Sequence, residues 1–336
     1  MSLKIGLIGA GRIGIIHGTN IANFADGAEL TGIADVNLES AQNLARKLNV
    51  NFTTEDYNDL INDPEIDAVF ICSSTDTHAQ IIEAAAAAGK HIFCEKPVDV
   101  DINRIKQLQA IVDNASVKFM LGFNRRFDRN FSHLKKQIAA GELGEPHILR
   151  ITSRDPAPPP IDYIKHSGGI FLDMTIHDFD MARYLIGSEV TEVFAKGAVR
   201  VDPAIGNAGD IDTAIITLQF ENGVIGTIDN SRQAVYGYDQ RVEVFGSNGM
   251  IAAGNELEHQ NIFANADGVR AAKPQYFFLE RYLQAYQTEA SVFIDCIIND
   301  NQPPVSIKDG LMALAMGLAA KTSVAENRVV EINEFL

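Results

Sequence analysis

Asp173 and His177 lie four residues apart, a spacing that sets two side chains one above the other on a helix, and Asp180 follows closely. An imidazole with an ordinary pKa of about 6.5 takes up a proton near neutrality, and a neighbouring carboxylate orients the ring and supports its charged form. The pair therefore suits removal of a hydroxyl proton. A solvated helical ion pair and half of a divalent-metal site are the other readings. No third cluster of strong ligands accompanies the pair, so no metal is expected. Lys96, inside Glu95-Lys96-Pro97, closes an apolar run. An ammonium at a strand end stabilises a developing alkoxide and helps to move its proton, although a lone lysine there also serves as a plain surface cap. Ser73-Ser74-Thr75-Asp76-Thr77-His78 offers small hydroxyl groups leading into a helix, with His78 fitting a packing role as readily as a chemical one.

These groups need a scaffold, and the chain opens with one. The apolar run Leu3–Ile8 passes directly into Gly9-Ala10-Gly11-Arg12-Ile13-Gly14. Glycines at these positions permit a tight turn, close approach of backbone to a pyrophosphate, and close packing of helix on strand. The helix that follows aims its first N–H groups at the phosphates. Asp35 comes about 20 residues later at the end of the next apolar run, where an acid accepts from ribose hydroxyls and repels a 2′-phosphate. Arg12 is the one cation that argues the other way. NAD rather than NADP is the expected cofactor. Gly9, Gly11, Arg12, Ile13 and Asp35 form its expected site, with Ser73, Thr75, His78, Glu95 and Lys96 at neighbouring strand ends.

Apolar runs at Leu3–Ile8, Leu30–Ala34, Ala68–Cys72, His91–Cys94 and Lys118–Leu121 alternate with helical patterns at Ile13–Phe24, Leu38–Leu48, Thr77–Ala88 and Ile102–Asn114. Such alternation predicts an α/β fold with a doubly wound parallel sheet covered on both faces. After Leu121 the pattern changes. Helices are predicted over Phe127–Ala140, Phe171–Ile186, Tyr282–Ile298 and Lys308–Glu326, with strands dominating from Val190 to Ala253. Thr213–Phe220 and Val224–Asp229 flank Glu221-Asn222-Gly223, a hairpin signal. The expected organisation is a Rossmann domain over residues 1–122. An α+β domain with a large, mostly antiparallel sheet follows over 123–336, for substrate binding and oligomerisation.

With 336 residues, 46% of them apolar, the chain has material for two cores, so disorder is not expected. A net charge of −16 argues against nucleic acid and anionic membranes as partners and favours a small neutral substrate. Cys72, Cys94 and Cys296 show no CxxC spacing, and no signal segment or span of about 20 apolar residues is visible. A cytoplasmic protein is expected.

The order of glycine loop, Ser-x-Thr-x-x-His, Glu-Lys-Pro and Gly-Gly…Asp-x-x-x-His resembles the glucose–fructose oxidoreductase/inositol dehydrogenase (Gfo/Idh/MocA) family over nearly the whole chain. Residues 122–128, 151–159 and 167–183 are similar to segments of bacterial inositol 2-dehydrogenases. The resemblance implies NAD-dependent oxidation of a cyclic polyol such as myo-inositol, with Lys96, Asp173 and His177 as catalytic trio. It places Arg125 (or its neighbour Arg126), Asp155 and Tyr236 near the polyol, and it implies a homotetramer built on the large sheet. Whether His177 or Lys96 is the immediate base stays open. So do a scyllo-inositol or sugar dehydrogenase on the same frame, an imine or tetrapyrrole reductase, and a non-catalytic dinucleotide sensor. Ser167-Gly168-Gly169 departs from the three glycines common in the family.

Overall fold

A run such as Ala68-Val69-Phe70-Ile71 has no polar face to offer water, and in the computed structural model, which describes residues 2–336, all four residues are buried. Contacts divide the chain into two compact units. One holds the residues up to Phe127 together with Gln284–Met312; the other holds Asp128–Leu283 and Ala313–Leu336. The expected division is a single cut after Gly122, whereas the compact units are discontinuous in sequence.

In the first unit, six strands among the described residues form a parallel sheet: β1 (Leu3–Ile8), β2 (Ala28–Ala34), β3 (Phe52–Thr54), β4 (Ala68–Ile71), β5 (His91–Glu95) and β6 (Phe119–Gly122). Their order is β3-β2-β1-β4-β5-β6, so the connections reverse direction between β1 and β4. Helices α1 (Arg12–Phe24), α2 (Leu38–Leu48), α3 (Tyr57–Ile61), α4 (Thr75–Ala87) and α5 (Ile102–Asn114) link the strands. Side-chain caps start several of them: Asn37 accepts from the Glu39 and Ser40 N–H groups, and Asp101 from that of Asn103. Strand β3 and helix α3 are additions to the sequence reading. Phe70 and Phe93 stack at 4.6 Å, and Phe293 meets Phe70 edge-on at 5.5 Å. All three are fully buried, and each such side chain contributes roughly 1.5–3 kcal/mol of transfer free energy.

The second unit is built on a seven-stranded sheet among the described residues. Its strands are β7 (Pro146–Arg154), β8 (Val190–Ala198), β9 (Thr213–Phe220), β10 (Ile225–Ser231), β11 (Asp239–Gly246) and β12 (Gly249–Ala253). A small hairpin, β13 (Ile262–Asn265) with β14 (Gly268–Ala271), stands apart, and β15 (Val330–Glu331) completes the large sheet. The order is β12-β11-β7-β10-β9-β8-β15, antiparallel except where β7 runs alongside β10. The Asn222-Gly223 turn joins β9 to β10 as expected, with Gly223 at φ +90°. Helices α6 (Arg129–Ala139), α7 (Ile161–Ile164), α8 (Ile170–Asp173) and α9 (Ile176–Ile186) belong to this unit.

The single helix expected over Phe171–Ile186 is broken at Met174–Thr175. The Thr175 N–H reaches back five residues to the Ile170 carbonyl (2.9 Å), and its hydroxyl donates to Asn230 Oδ1 at 2.6 Å. A wide closure of this kind interrupts the regular ladder and is frequent at functional sites. No helix among the described residues is long and apolar enough to cross a membrane.

Candidate active site

The expected cofactor residues lie at the carboxyl ends of parallel strands or in the first turns of the helices that follow them, around the point where strand order reverses, which is where open α/β sheets bind ligands. The glycines there have distinct reasons. Gly9 has φ +97°, and a Cβ on it would sit 2.6 Å from the backbone after β4. On Gly14 a Cβ would lie 1.9 Å from the Gly9 carbonyl oxygen. At Gly11, the residue preceding α1, a Cβ would meet nothing within 4 Å, and no side chain caps the helix. The loop is thus closed towards the protein at two glycines and open at the third, beside uncapped N–H donors. That fits a pyrophosphate. Arg12 and Gly11 are exposed, and Ile13 is half-buried. Asp35 is fixed from both sides: Ala10 N–H donates to Oδ2 at 2.6 Å and Asn37 N–H to Oδ1 at 2.8 Å. Lone pairs remain on both oxygens for ribose hydroxyls.

Ser73 follows β4, and its hydroxyl pairs with that of Thr77 at 2.7 Å; Thr75 opens α4. His78 is buried, its ring nitrogens 2.8 Å from the Pro97 carbonyl and 3.1 Å from that of Ser73. Burial holds its pKa below the ordinary imidazole value despite those two contacts. The ring therefore sits between the loop after β4 and the turn after β5, with its one N–H in the neutral form available to either carbonyl. That turn carries half-buried Lys96, followed by a cis Lys96–Pro97 bond. Glu95, at the end of β5, accepts from His17 Nε2 at 2.9 Å. His17 escaped the sequence reading, its one signal being an imidazole on the apolar face of α1, where it is fully buried against Phe93 and Tyr286. Arg126 bonds Asp309 at 2.9 Å and the Pro304 carbonyl at 3.2 Å, a tether within the first unit. Arg125, in the turn after β6, is buried.

The second unit carries Asp155, Asp173, His177 and Tyr236. Asp173 ends the single turn α8, and His177 stands beyond the break, at the start of α9. Both are half-buried, while Asp178 and Asp180 behind them are fully buried. Tyr163 donates its hydroxyl to Asp173 Oδ1 (2.8 Å), and Arg232 Nη1 donates to Oδ2 (2.9 Å). The same Nη1 lies 3.8 Å from Asp155 Oδ2, so two of the expected residues converge on one guanidinium. Tyr236 donates to Asp239 Oδ2 and accepts from Arg154 Nη1 at 3.3 Å. Burial raises the Asp239 pKa, but hydrogen bonds from Arg241, Tyr236 and Asn255 outweigh it and leave the carboxyl below its ordinary range. Gly169 has φ +87°, and a Cβ there would lie 2.7 Å from Asp210 Oδ1, which explains one of the two glycines retained before α8. Tyr163, Asp210, Asn230 and Arg232 were missed because nothing in their spacing points to Asp173.

Residues 3–123 match the oxidoreductase family with an NAD-binding Rossmann fold, and residues 131–252 match the GFO/IDH/MocA C-terminal domain. The chain belongs to the Gfo/Idh/MocA oxidoreductase family. It is 51% identical to myo-inositol 2-dehydrogenase of Thermotoga maritima, covering 99% of this chain and 100% of that one. Identity to the inositol 2-dehydrogenase of Rhizobium meliloti is 47%, with coverage of 99% and 100%. Scyllo-inositol dehydrogenase from Lactobacillus casei, solved with bound NAD(H) and scyllo-inositol, superposes with a TM-score of 0.94 at 33% identity, covering 99% of this chain and 100% of that one. The expected fold class, a Rossmann sheet followed by a mostly antiparallel α+β domain, is the observed one, and the cofactor of this oxidoreductase is NAD.

Proposed function

We propose that the protein oxidises one secondary alcohol of a cyclic polyol to a ketone, with myo-inositol as substrate and 2-keto-myo-inositol (scyllo-inosose) as product. The observation that carries this reading is the 51% identity, end to end, with myo-inositol 2-dehydrogenase. NAD, when bound, supplies the hydride acceptor. His177 receives the hydroxyl proton on its imidazole, Asp173 supports the cation so formed, and the Lys96 ammonium stabilises charge on the oxygen. The immediate base is His177 or Lys96, and a pH profile of each variant tells them apart. Gly9, Gly11, Arg12, Ile13 and Asp35 hold the dinucleotide, with Ser73, Thr75 and Glu95 lining the strand ends and His78 bracing them. Arg125, Asp155 and Tyr236 bond the remaining ring hydroxyls. A site of this kind discriminates strongly, because a missing hydroxyl leaves buried polar groups unpaired.

A second reading, scyllo-inositol as substrate, is favoured by the likeness to the Lactobacillus casei enzyme. A homotetramer is supported by Ile215, Ile225, Phe245 and Met250, exposed apolar residues that the strand registers place on one face of the large sheet. Three buried free thiols suit a reducing cytoplasm, and the family's place would be inositol catabolism. The test follows NADH formation with myo-inositol, scyllo-inositol, glucose and xylose, using NAD and then NADP. Fast turnover of myo-inositol with NAD is the expected result. Preference for scyllo-inositol moves the assignment to the second reading, and silence with every polyol despite NAD binding refutes both.

A further inference from the structure

Asp173 has an awkward seat for a residue that must hold a catalytic imidazole. It is the last residue of a four-residue helical turn, and the ladder is broken immediately after it. A single turn makes too few backbone bonds to fix a side chain, so the rigidity must come from elsewhere. The surroundings supply it through one guanidinium. Arg232, just beyond β10, is 2% exposed, and its backbone N–H is anchored on the Asp212 carbonyl at 2.8 Å. Nη1 holds the far end of the turn through Asp173 Oδ2 at 2.9 Å. Nη2 lies 3.9 Å from Asp210 Oδ2, and the other oxygen of Asp210 accepts the N–H of Ile170, the first residue of the turn, at 3.1 Å. One buried cation is thus bonded to the far end of α8 and lies within ion-pair distance of the acid that holds its first residue. Tyr163 takes the remaining face of the carboxylate, at Oδ1.

The geometry points to Arg232 as a positioning residue for the proposed reaction, acting through Asp173 with Tyr163 as its second clamp. This deepens the proposed function and rests on the role given there to Asp173. With Oδ1 accepting from Tyr163 and Oδ2 from Arg232, the carboxylate plane is set. A carboxylate of set orientation is what the role proposed for Asp173 towards His177 requires. Arg232 need not touch the polyol for its loss to slow turnover. A lysine there keeps the charge but offers a point donor in place of the planar fork, so it restores the function only in part.

The test is a double-mutant cycle on the NAD-dependent reaction, with Arg232→Met and Asp173→Asn made singly and together. Expected is a fall in kcat of about 10- to 100-fold for each single variant, with NAD affinity within about twofold of the parent. The double variant should lie within about threefold of the slower single one, because the two residues act as a unit. Arg232→Lys should recover part of the loss. Defects that multiply, or full turnover in Arg232→Met, overturn the inference. Near-normal turnover in Asp173→Asn alone strikes the parent assignment and the inference together, and that variant identifies the case. If Arg232→Met does not fold, Tyr163→Phe replaces it in the same cycle, at a side chain half exposed to water. A modest kcat loss that vanishes in the Asp173→Asn background supports the clamp, and an undiminished loss there refutes it.

Discussion

Two glycines three residues apart are predicted to respond in opposite ways to the same added methyl group. In Gly14→Ala the new carbon starts 1.9 Å from the Gly9 carbonyl oxygen and 2.9 Å from its carbon. Both are backbone, so relief requires α1 to move off β1. Overpacking of this kind costs about 1–3 kcal/mol or more. At roughly 2–4 °C per kcal/mol for units of this size, Tm falls by roughly 2–12 °C. In Gly11→Ala the methyl meets nothing within 4 Å, and the backbone at φ −74° and ψ −165° suits alanine. Removing a glycine from the unfolded chain stabilises by about 0.4–1 kcal/mol, so Tm holds or rises slightly. The methyl instead occupies the approach to the uncapped end of α1, and NAD affinity should fall at least about tenfold, or about 1.4 kcal/mol. Thermal unfolding by circular dichroism reads the first effect, and titration of NADH fluorescence reads the second. Equal Tm losses in both variants, or unimpaired NADH binding by Gly11→Ala, would refute the division between a packing glycine and a phosphate-facing one.

Asp35→Asn keeps an oxygen for the Ala10 N–H but removes the charge, so the ratio of kcat/KM for NAD over NADP should drop at least about tenfold; an unchanged ratio sinks the ribose assignment. Lys96→Ala and His177→Ala should each lower kcat by about 100-fold or more while NADH still binds, and normal turnover in either removes that residue from the mechanism. The Asp239 carboxyl is held below its ordinary value of 3.8, so its contribution to stability is complete above that pH and is lost as pH falls below it. Asp239→Asn should therefore flatten the acid limb of stability below pH 3.8 relative to the parent, and parallel limbs in urea unfolding would exclude this.

Where an element is governed by its own periodicity, the sequence was enough. Leu3–Ile8, Leu38–Leu48, Ile102–Asn114 and Thr213–Phe220 begin and end where their apolar spacing and caps require. The failures share a cause, which is dependence on partners far along the chain. Strand β3 is three residues long and exists by pairing with β2, too short for an alternation to register. The break after Asp173 is bonded to Asn230, and the parallel pairing of β7 with β10 is set by the sheet as a whole. The glycine loop, Asp35, Lys96 and Asp173 could be named from local motifs. His17, Tyr163 and Arg232 could not, because each is defined by what it touches and none of those contacts lies within one helical turn.

The discontinuity of the first unit governs the order of events during synthesis. Phe293 and Val305, which close on Phe70 and on the Leu121 N–H, arrive about 170 or more residues after the sheet they complete. At a translation rate of about 5–20 residues per second, the nascent six-stranded sheet waits on the order of ten seconds or longer with that aromatic cluster uncovered. The segment that follows Gln284 is thus the last piece of the unit that begins the chain. A fragment ending at residue 123 contains every motif for the dinucleotide and still lacks the residues that cover its core.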